Sequence, residues 1–385
     1  MKELFAALLL CAAPAFAQPI VVGAALPQSG ILADIAADLK KALLLWQDEV
    51  NAGGGLLGRR VELVLLDDRS ESGAAGKLYE QLIHEHKADA LIGPFGSAAS
   101  VGAAAVAERN RRVLLNATGA ARLVHRSVLR YVFQTTAPLS VYGLGALDLA
   151  RSAGAKRIML VARDDPGARE MAGRAREEAA TYGLVAAPIE GYTAGGTDFS
   201  PQILRARAAG TDAWIAFGLP QDAAEMVKNF RKTGFAPRLF VAQGASDPEF
   251  IKLVGQDAEY AVGILAYDRR ARTRGNQAFA QAYAKKWSAD PGALAAEGYA
   301  AAKVLEEAVR RAGGTDTEKL RDTLAALETD TPLGGYKVER SGVQVAARPL
   351  LVQIQRGRRE IVWPEALATA KFQPYLAWEI RKPLK

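Results

Sequence analysis

The feature that most constrains the fold is a repeated alternation of short apolar runs with longer amphipathic segments. A strand is predicted over 20–26, and apolar residues three and four positions apart from Leu32 to Val50 predict a long helix. The alternation continues to about residue 135, and a second series of similar length begins after Pro138. Repeated β-α-β units favour parallel sheets that are covered by helices on both faces. The sequence therefore predicts an α/β protein with two Rossmann-like lobes and a ligand cleft at the carboxyl ends of the strands.

The segment 90–97 (ALIGPFGS) is the most suggestive single stretch. Its apolar run is bounded by Gly93 and Pro94, as expected for a buried strand that ends abruptly. Ser97 is predicted to be the N-cap of a small-residue helix over 98–108. The N-terminus of a helix after a strand offers free backbone N–H groups and the positive end of a dipole, which together favour an anion. A plain helix cap is the structural alternative.

Residues 1–17 have the pattern of a cleavable export signal. Lys2 precedes an apolar run that is too short to span a bilayer, and an A-x-A site at 15–17 precedes Gln18. Cys11 raises the alternative of a lipoprotein signal, but Leu10 stands where such signals carry a small residue. We therefore expect cleavage after residue 17. Because Cys11 is the only cysteine, the mature chain would contain no disulfide.

Composition limits the possible partners. Half of the 385 residues are hydrophobic and 24% are charged, with a net charge of +7. The basic residues are dispersed over predicted helices and form no long block, so a nucleic-acid partner is not expected. A basic field favours an anionic ligand.

The catalytic and cofactor motifs that the sequence matches by letters lack the structural context that they require. The glycines at 53, 55 and 58 match a dinucleotide fingerprint by letters, but they follow a helix and precede a strand, which is the reverse of the required order. His84 and His86 are two positions apart on a helix and point to different faces. The pair Asp67 and Asp68 follows a strand and could hold a cation, although turn formation is the commoner role. We therefore expect a binding protein with no cofactor and no metal.

In order along the chain, seven stretches resemble the periplasmic solute-binding proteins of branched-chain amino acid (Leu/Ile/Val-type) ABC importers. They are 22–30 (VGAALPQSG), 49–59 (EVNAGGGLLGR), 65–68 (LLDD), 91–97 (LIGPFGS), 131–135 (YVFQT), 196–200 (GTDFS) and 330–334 (DTPLG). The resemblance implies a type I periplasmic binding fold, in which three crossing segments join two lobes that close over a small ligand. It further implies a monomer in the periplasm, recognised by a membrane permease with its ATPase. In this family the serine that aligns with Ser97 binds the ligand carboxylate through its hydroxyl and backbone N–H.

Four departures from the family pattern affect specificity. Gly119 aligns with a threonine that holds both ends of an amino acid, and Thr118 replaces it only after a shift of one residue. Leu219 stands in place of an aromatic residue, Gly167 and Ala168 replace a Tyr-Gly pair, and Gln243 replaces the acid that pairs with the ligand ammonium. A buried ammonium without a carboxylate partner is very costly. We therefore expect a small acid that lacks an α-amine, unless Asp67, Asp68 or Asp268 supplies the charge.

The motifs and the family resemblance together predict a set of ligand contacts, hinge residues and lobe boundaries. The predicted ligand contacts are Ser29, Phe95, Gly96, Ser97, Asn116, Thr118, Gly119, Leu219 and Gln243. The predicted hinge residues are Thr135, Thr136, Ala266 and Tyr267, with the third crossing near 338–343. The N-terminal lobe is predicted to comprise 18–136 and 267–340, and the C-terminal lobe 137–266 and 341–385.

Two other function classes remain open. The same fold serves as the ligand domain of sensors, which would carry a DNA-binding segment or a membrane anchor. An α/β enzyme such as a dehydrogenase or a hydrolase is disfavoured by the missing motifs.

Overall fold

The computed structural model describes residues 18–127 and 129–381. The predicted export signal and Cys11 lie outside these ranges. Two large sheets and one small one are formed by fifteen strands within the described part of the chain. The strands are β1 Ile20–Leu26, β2 Val61–Asp67, β3 Ala90–Ile92, β4 Leu114–Asn116, β5 Val132–Gln134, β6 Arg157–Arg163, β7 Val185–Ala186, β8 Glu190–Tyr192, β9 Ala213–Phe217, β10 Leu239–Ala242, β11 Val262–Leu265, β12 Thr329–Thr331, β13 Gly334–Tyr336, β14 Leu350–Gln355 and β15 Arg358–Trp363.

Helices alternate with the strands, as the sequence predicts. They are α1 Ala33–Ala52, α2 Ala75–His84, α3 Ser97–Arg109, α4 Leu144–Ser152, α5 Pro166–Glu178, α6 Ser200–Ala208, α7 Pro220–Thr233, α8 Pro248–Val254, α9 Asn276–Trp287, α10 Ala293–Ala312 and α11 Thr317–Ala326. None of the helices within the described ranges is both long enough and apolar enough to cross a membrane.

The first lobe is built on a parallel sheet with the order β2-β1-β3-β4-β5. Alternation along β1 explains why both faces are covered. Val22 and Ala24 point into a core shared with α1, α9, α10 and α11, whereas Ala25 faces a second core shared with α2 and α3. The long α1 and α10 pack together, and Trp46 Nε1 donates to Glu306 Oε2 at 3.1 Å.

The second lobe has a larger, mixed sheet with the order β15-β14-β11-β10-β9-β6-β7, and β8 also pairs with β6. Strands from β6 to β11 are parallel, whereas β14 and β15 run antiparallel at one edge. Trp214 in β9 is fully buried, and its ring meets Phe230 of α7 edge to face at 5.1 Å. Such aromatic pairs add about 0.5–1.5 kcal/mol beyond area burial.

The order of the strands places a crevice in each lobe. After β1 the chain goes to β2 on one side and then to β3 on the other; after β6 it goes to β7 and β8, and then to β9. Reversals of this kind open crevices at the carboxyl ends of the strands, where α/β sheets bind ligands. We call the region beyond β1 and β3 the first crevice and the region beyond β6 and β9 the second crevice.

Within residues 18–127 and 129–381, three chain segments join the lobes. The first follows β5 and contains Thr135, and the second follows β11. In the third, between β13 and β14, Gln344 Nε2 donates to the carbonyl of Thr135 at 3.4 Å, so the first and third segments contact each other. The Gly342 carbonyl accepts from the Gln134 N–H at 2.9 Å, so the start of this third segment lies beside β5. The exact lobe boundaries at 136/137, 266/267 and 340/341 stay predictions.

Candidate functional site

Ser97 lies in the first crevice, but it does not cap a helix. The N-cap is Gly96, with φ of 81° and ψ of 157°, and Ser97 is the first helical residue of α3. The predicted N-cap role is therefore wrong, because the positive φ that ends the preceding turn falls on the glycine. The half-buried Ser97 instead accepts a hydrogen bond on its Oγ from the Ala121 N–H at 3.1 Å. Its hydroxyl hydrogen stays available as a donor beside the N–H groups at the start of the helix.

Thr118 ties the loop after β4 to the loop after β3. Its Oγ1 donates to the Pro94 carbonyl at 2.9 Å and accepts from the Gly96 N–H at 2.8 Å. Both capacities of the hydroxyl are used within the protein, so Thr118 fixes the path of the chain that leads into Ser97. Phe95, in the same loop, is half-buried and packs on the larger core of the first lobe.

Two hydrogen bonds join the Asn116 side chain to the backbone of Gly119. The fully buried Asn116 donates from Nδ2 to the Gly119 carbonyl and accepts on Oδ1 from the Gly119 N–H, both at 2.9 Å. A Cβ at position 119 would lie 2.4 Å from Ser100 Oγ and 2.5 Å from Asn116 Oδ1. The glycine is therefore a packing requirement here, and a side chain at 119 would point into the lobe interior.

Ser29, at the end of β1, is exposed and faces Asp67. Its Oγ donates to Asp67 Oδ2 at 2.7 Å, and Asp67 Oδ1 also accepts from the backbone N–H groups of Gln28 and Arg69. The hydrogen bond from the Ser29 hydroxyl is the main cause that lowers the pKa of Asp67 to about 2, and the backbone donors act in the same direction. Asp67 therefore holds a turn together as a carboxylate.

In the second crevice, Leu219 and Gln243 lie on neighbouring turns. A Cβ at Gly244 would lie 2.3 Å from the Leu219 carbonyl, so these turns touch through their backbones. The Leu219 side chain is 49% exposed and Gln243 is half-buried. The Leu219 N–H donates to Asp222 Oδ2 at 2.8 Å, which anchors the start of α7.

An arginine in the second crevice was not singled out from the sequence. Arg163 ends β6, and its Nη1 lies 3.7 Å from Asp222 Oδ2. The buried Asp222 also accepts from the Tyr192 hydroxyl at 3.0 Å. Nothing in the local sequence indicates this cluster, because its three residues come from separate parts of the chain.

A buried acid, which the sequence did not indicate, lies against the predicted hinge. Thr136 Oγ1 donates to Glu297 Oε1 at 2.7 Å, and Glu297 lies near the start of α10 with 7% of its surface exposed. Burial raises the pKa of Glu297 to about 7, although the hydrogen bond from Thr136 opposes the rise. Burial, and then the Glu297 charge, raise the pKa of Tyr142. In the other predicted hinge segment, Ala266 is half-buried and Tyr267 is buried.

Two of the acids considered as ammonium partners are occupied within the protein, in addition to Asp67. Asp68 accepts from the Ser70 N–H at 2.9 Å, and burial raises its pKa. Asp268 receives hydrogen bonds from Arg270 at 2.7 and 3.0 Å. Burial alone would raise the pKa of Asp268, but the Arg270 contacts outweigh it and lower the pKa.

Comparison with known proteins places this geometry in a family. Residues 19–359 match the family described as periplasmic binding protein. An amino acid binding protein of Pseudomonas aeruginosa is 24% identical over 330 residues, which cover 84% of this chain and 87% of that protein.

Two solved structures share the fold. The substrate-binding protein of a branched-chain amino acid transporter from Streptococcus pneumoniae, in complex with isoleucine, has a TM-score of 0.69 and 24% identity, covering 89% of this chain and 99% of that one. A solute-binding protein of R. palustris in complex with benzoate has a TM-score of 0.69 and 22% identity, covering 92% of this chain and 98% of that one. By its matched sequence and its two-lobed α/β fold, the chain belongs to the periplasmic binding protein family.

Proposed function

We propose that this protein is the substrate-binding component of an ABC importer, and that it captures a small carboxylate-bearing ligand between two closing lobes. The observation that carries the proposal is Ser97 at the start of α3 in the first crevice. Backbone N–H groups and the positive end of the helix dipole favour an anion at this position. The Ser97 hydroxyl adds a donor at the same place.

The proposal includes the partners and location that go with this role. An ABC permease and its ATPase would receive the ligand-loaded protein, which would act as a monomer in the periplasm after removal of residues 1–17. We propose binding without catalysis, because the family consists of binding proteins. In the first crevice, Thr118 fixes the loops by hydrogen bonds, and Ser97 is left as the proposed anion site.

Among carboxylates, we expect an acid without an α-amine, because the residues considered as ammonium partners are neutral or already bonded within the protein. Gln243 carries no charge, and Asp67, Asp68 and Asp268 are engaged in internal hydrogen bonds. An α-ammonium group would therefore find no free acid among these four residues, and burying it without a partner is costly. The benzoate complex of a fold relative shows that a protein of this architecture can hold an amine-free acid.

A calorimetric panel with Ser97→Ala tests the proposal. Leucine, phenylalanine, benzoate and 4-methyl-2-oxopentanoate are titrated into the wild type, and we expect one of the two amine-free acids to bind most tightly. Ser97→Ala should weaken that binding by roughly 1.5–3 kcal/mol, since a hydrogen bond to a charged group is lost. That loss corresponds to about 10- to 150-fold in Kd.

Ser152→Ala, at the exposed end of α4, is the matched control and should leave the affinity unchanged. Without ligand, Ser97→Ala should lower the free energy of unfolding by no more than about 1–2 kcal/mol, because only the bond from Ala121 is lost. Equal affinities of the wild type and Ser97→Ala would contradict the carboxylate site. Tight binding of leucine without binding of either acid would contradict the preference for an amine-free ligand.

A further inference from the structure

The second crevice contains a guanidinium group placed where a ligand would meet it. Arg163 is the last residue of β6, the strand at which the order of the second sheet reverses. The corresponding reversal in the first lobe lies beside Ser97. Since ligands of α/β sheets bind at such reversals, Arg163 and Ser97 are polar side chains that the two lobes present where a ligand is expected.

The N–H groups of Arg163 are not consumed by the protein. Its nearest acidic oxygens are Asp165 Oδ2 and Asp222 Oδ2, both at 3.7 Å, which is too long for a hydrogen bond. Within the described ranges, no hydrogen bond from this guanidinium to the protein is formed. Arg205, in contrast, donates twice to Glu190 at 2.7 Å. The Arg163 side chain is 24% exposed, so its donors can reach a molecule in the crevice.

Asp222 places a fixed negative charge beside the arginine. Its side chain is only 6% exposed, and its Oδ2 is fixed by hydrogen bonds from the Leu219 N–H and the Tyr192 hydroxyl. The opposite charges of Arg163 and Asp222 balance each other. Asp165 adds a further negative charge at 3.7 Å, so a second ligand carboxylate would be repelled here. An uncharged oxygen acceptor suits the site better.

We propose that Arg163 is a ligand-binding residue, and that it donates hydrogen bonds to a carbonyl or hydroxyl oxygen at the end of the ligand remote from its carboxylate. The inference rests on the proposed function, which places the ligand carboxylate at Ser97. It narrows the ligand class to small acids with a distal neutral oxygen. A site with an unpaired donor discriminates strongly against an analogue that lacks the acceptor.

Calorimetry with matched acids tests this assignment. The pairs are pentanoate with 4-oxopentanoate and benzoate with 4-hydroxybenzoate, in which only the distal oxygen differs. In at least one pair we expect the wild type to bind the oxygen-bearing acid at least 10-fold more tightly. Arg163→Met, which keeps the apolar stem of the side chain but removes its donors, should reduce that preference to less than threefold.

Two further variants separate binding from stability and from local charge. Arg163→Lys keeps a positive charge near Asp222 if Arg163→Met fails to fold, and should lower the preference at least threefold because it loses the planar set of donors. Arg169→Gln, in the first turn of α5 with its side chain 68% exposed, should leave the preference unchanged.

The outcomes distinguish failure of the Arg163 assignment from failure of the proposed function. If the acids bind but the wild type shows no preference, or if Arg163→Lys retains it in full, the assignment of Arg163 is wrong and the proposed function stands. Loss of the preference in Arg169→Gln would also contradict a specific role for Arg163. If neither these acids nor the amino acids of the first panel bind, the proposed function fails, and the assignment fails with it.

Discussion

Asn116→Ala should lower the free energy of unfolding by about 3 kcal/mol, because it leaves buried polar groups without partners. Asn116 is fully buried and bonds both the N–H and the carbonyl of Gly119 at 2.9 Å, while Ser100 Oγ donates to it at 3.2 Å. Each orphaned buried group costs about 1–3 kcal/mol, and the carbonyl keeps only a longer bond from Gln134 at 3.3 Å. Urea denaturation of the ligand-free protein measures the effect.

Asn116→Asp is the matched variant, since it keeps the size of the side chain and the acceptor but loses the Nδ2 donor. It should cost at least as much stability as Asn116→Ala, because a carboxyl oxygen then faces the Gly119 carbonyl at a fully buried position. A change of less than about 1 kcal/mol in Asn116→Ala would contradict a structural role, because even one buried polar group left without a partner costs about 1–3 kcal/mol. If ligand affinity then fell without a loss of stability, Asn116 would be a direct ligand contact.

Glu297→Gln should change how stability depends on pH. In the folded protein burial raises the pKa of Glu297 from 4.5 to about 7. The folded state therefore holds this proton more tightly than the unfolded state, and the stabilisation is complete below pH 4.5. It is lost as the pH rises towards 7, by about 3 kcal/mol for a shift of this size.

Glutamine resembles the protonated acid and still accepts the hydrogen bond from Thr136. The variant should match the wild type near pH 4.5 and be more stable by about 3 kcal/mol at pH 8. Urea denaturation at both pH values measures the difference in the free energy of unfolding between the variant and the wild type. The titration of other groups cancels in this difference. Glu307→Gln, on the exposed side of the same helix, is the control. A difference between Glu297→Gln and the wild type that is independent of pH would contradict the account.

Local patterns in the sequence predict much of the fold. The apolar run of β1 and the helical spacing of α1 each arise within one segment, and the order of these segments implies parallel sheets. The short α8 at Pro248–Val254 was not predicted, because it offers too few residues for a helical period to be recognised. The antiparallel pairing of β14 and β15 was not predicted, because the order of the segments favours parallel sheets.

The candidate site is less predictable because distant residues build it. Ser97 could be found from its strand-turn-helix context and from the family resemblance. The bond between Thr136 and Glu297 joins residues 161 positions apart, and the one between Tyr192 and Asp222 joins residues 30 positions apart. Gly119 illustrates a further limit, since the alignment suggests a lost hydroxyl whereas the packing against Ser100 shows that no side chain fits.

The central claim is that two lobes close on a small acid, and small-angle X-ray scattering tests it most directly. Scattering is recorded without ligand and at saturation with whichever of benzoate or 4-methyl-2-oxopentanoate binds more tightly, with Ser97→Ala at the same ligand concentration as the reference. We predict a smaller radius of gyration for the wild type with ligand, because rotation about the crossing segments closes the cleft. Identical profiles with and without the saturating acid would contradict the claim.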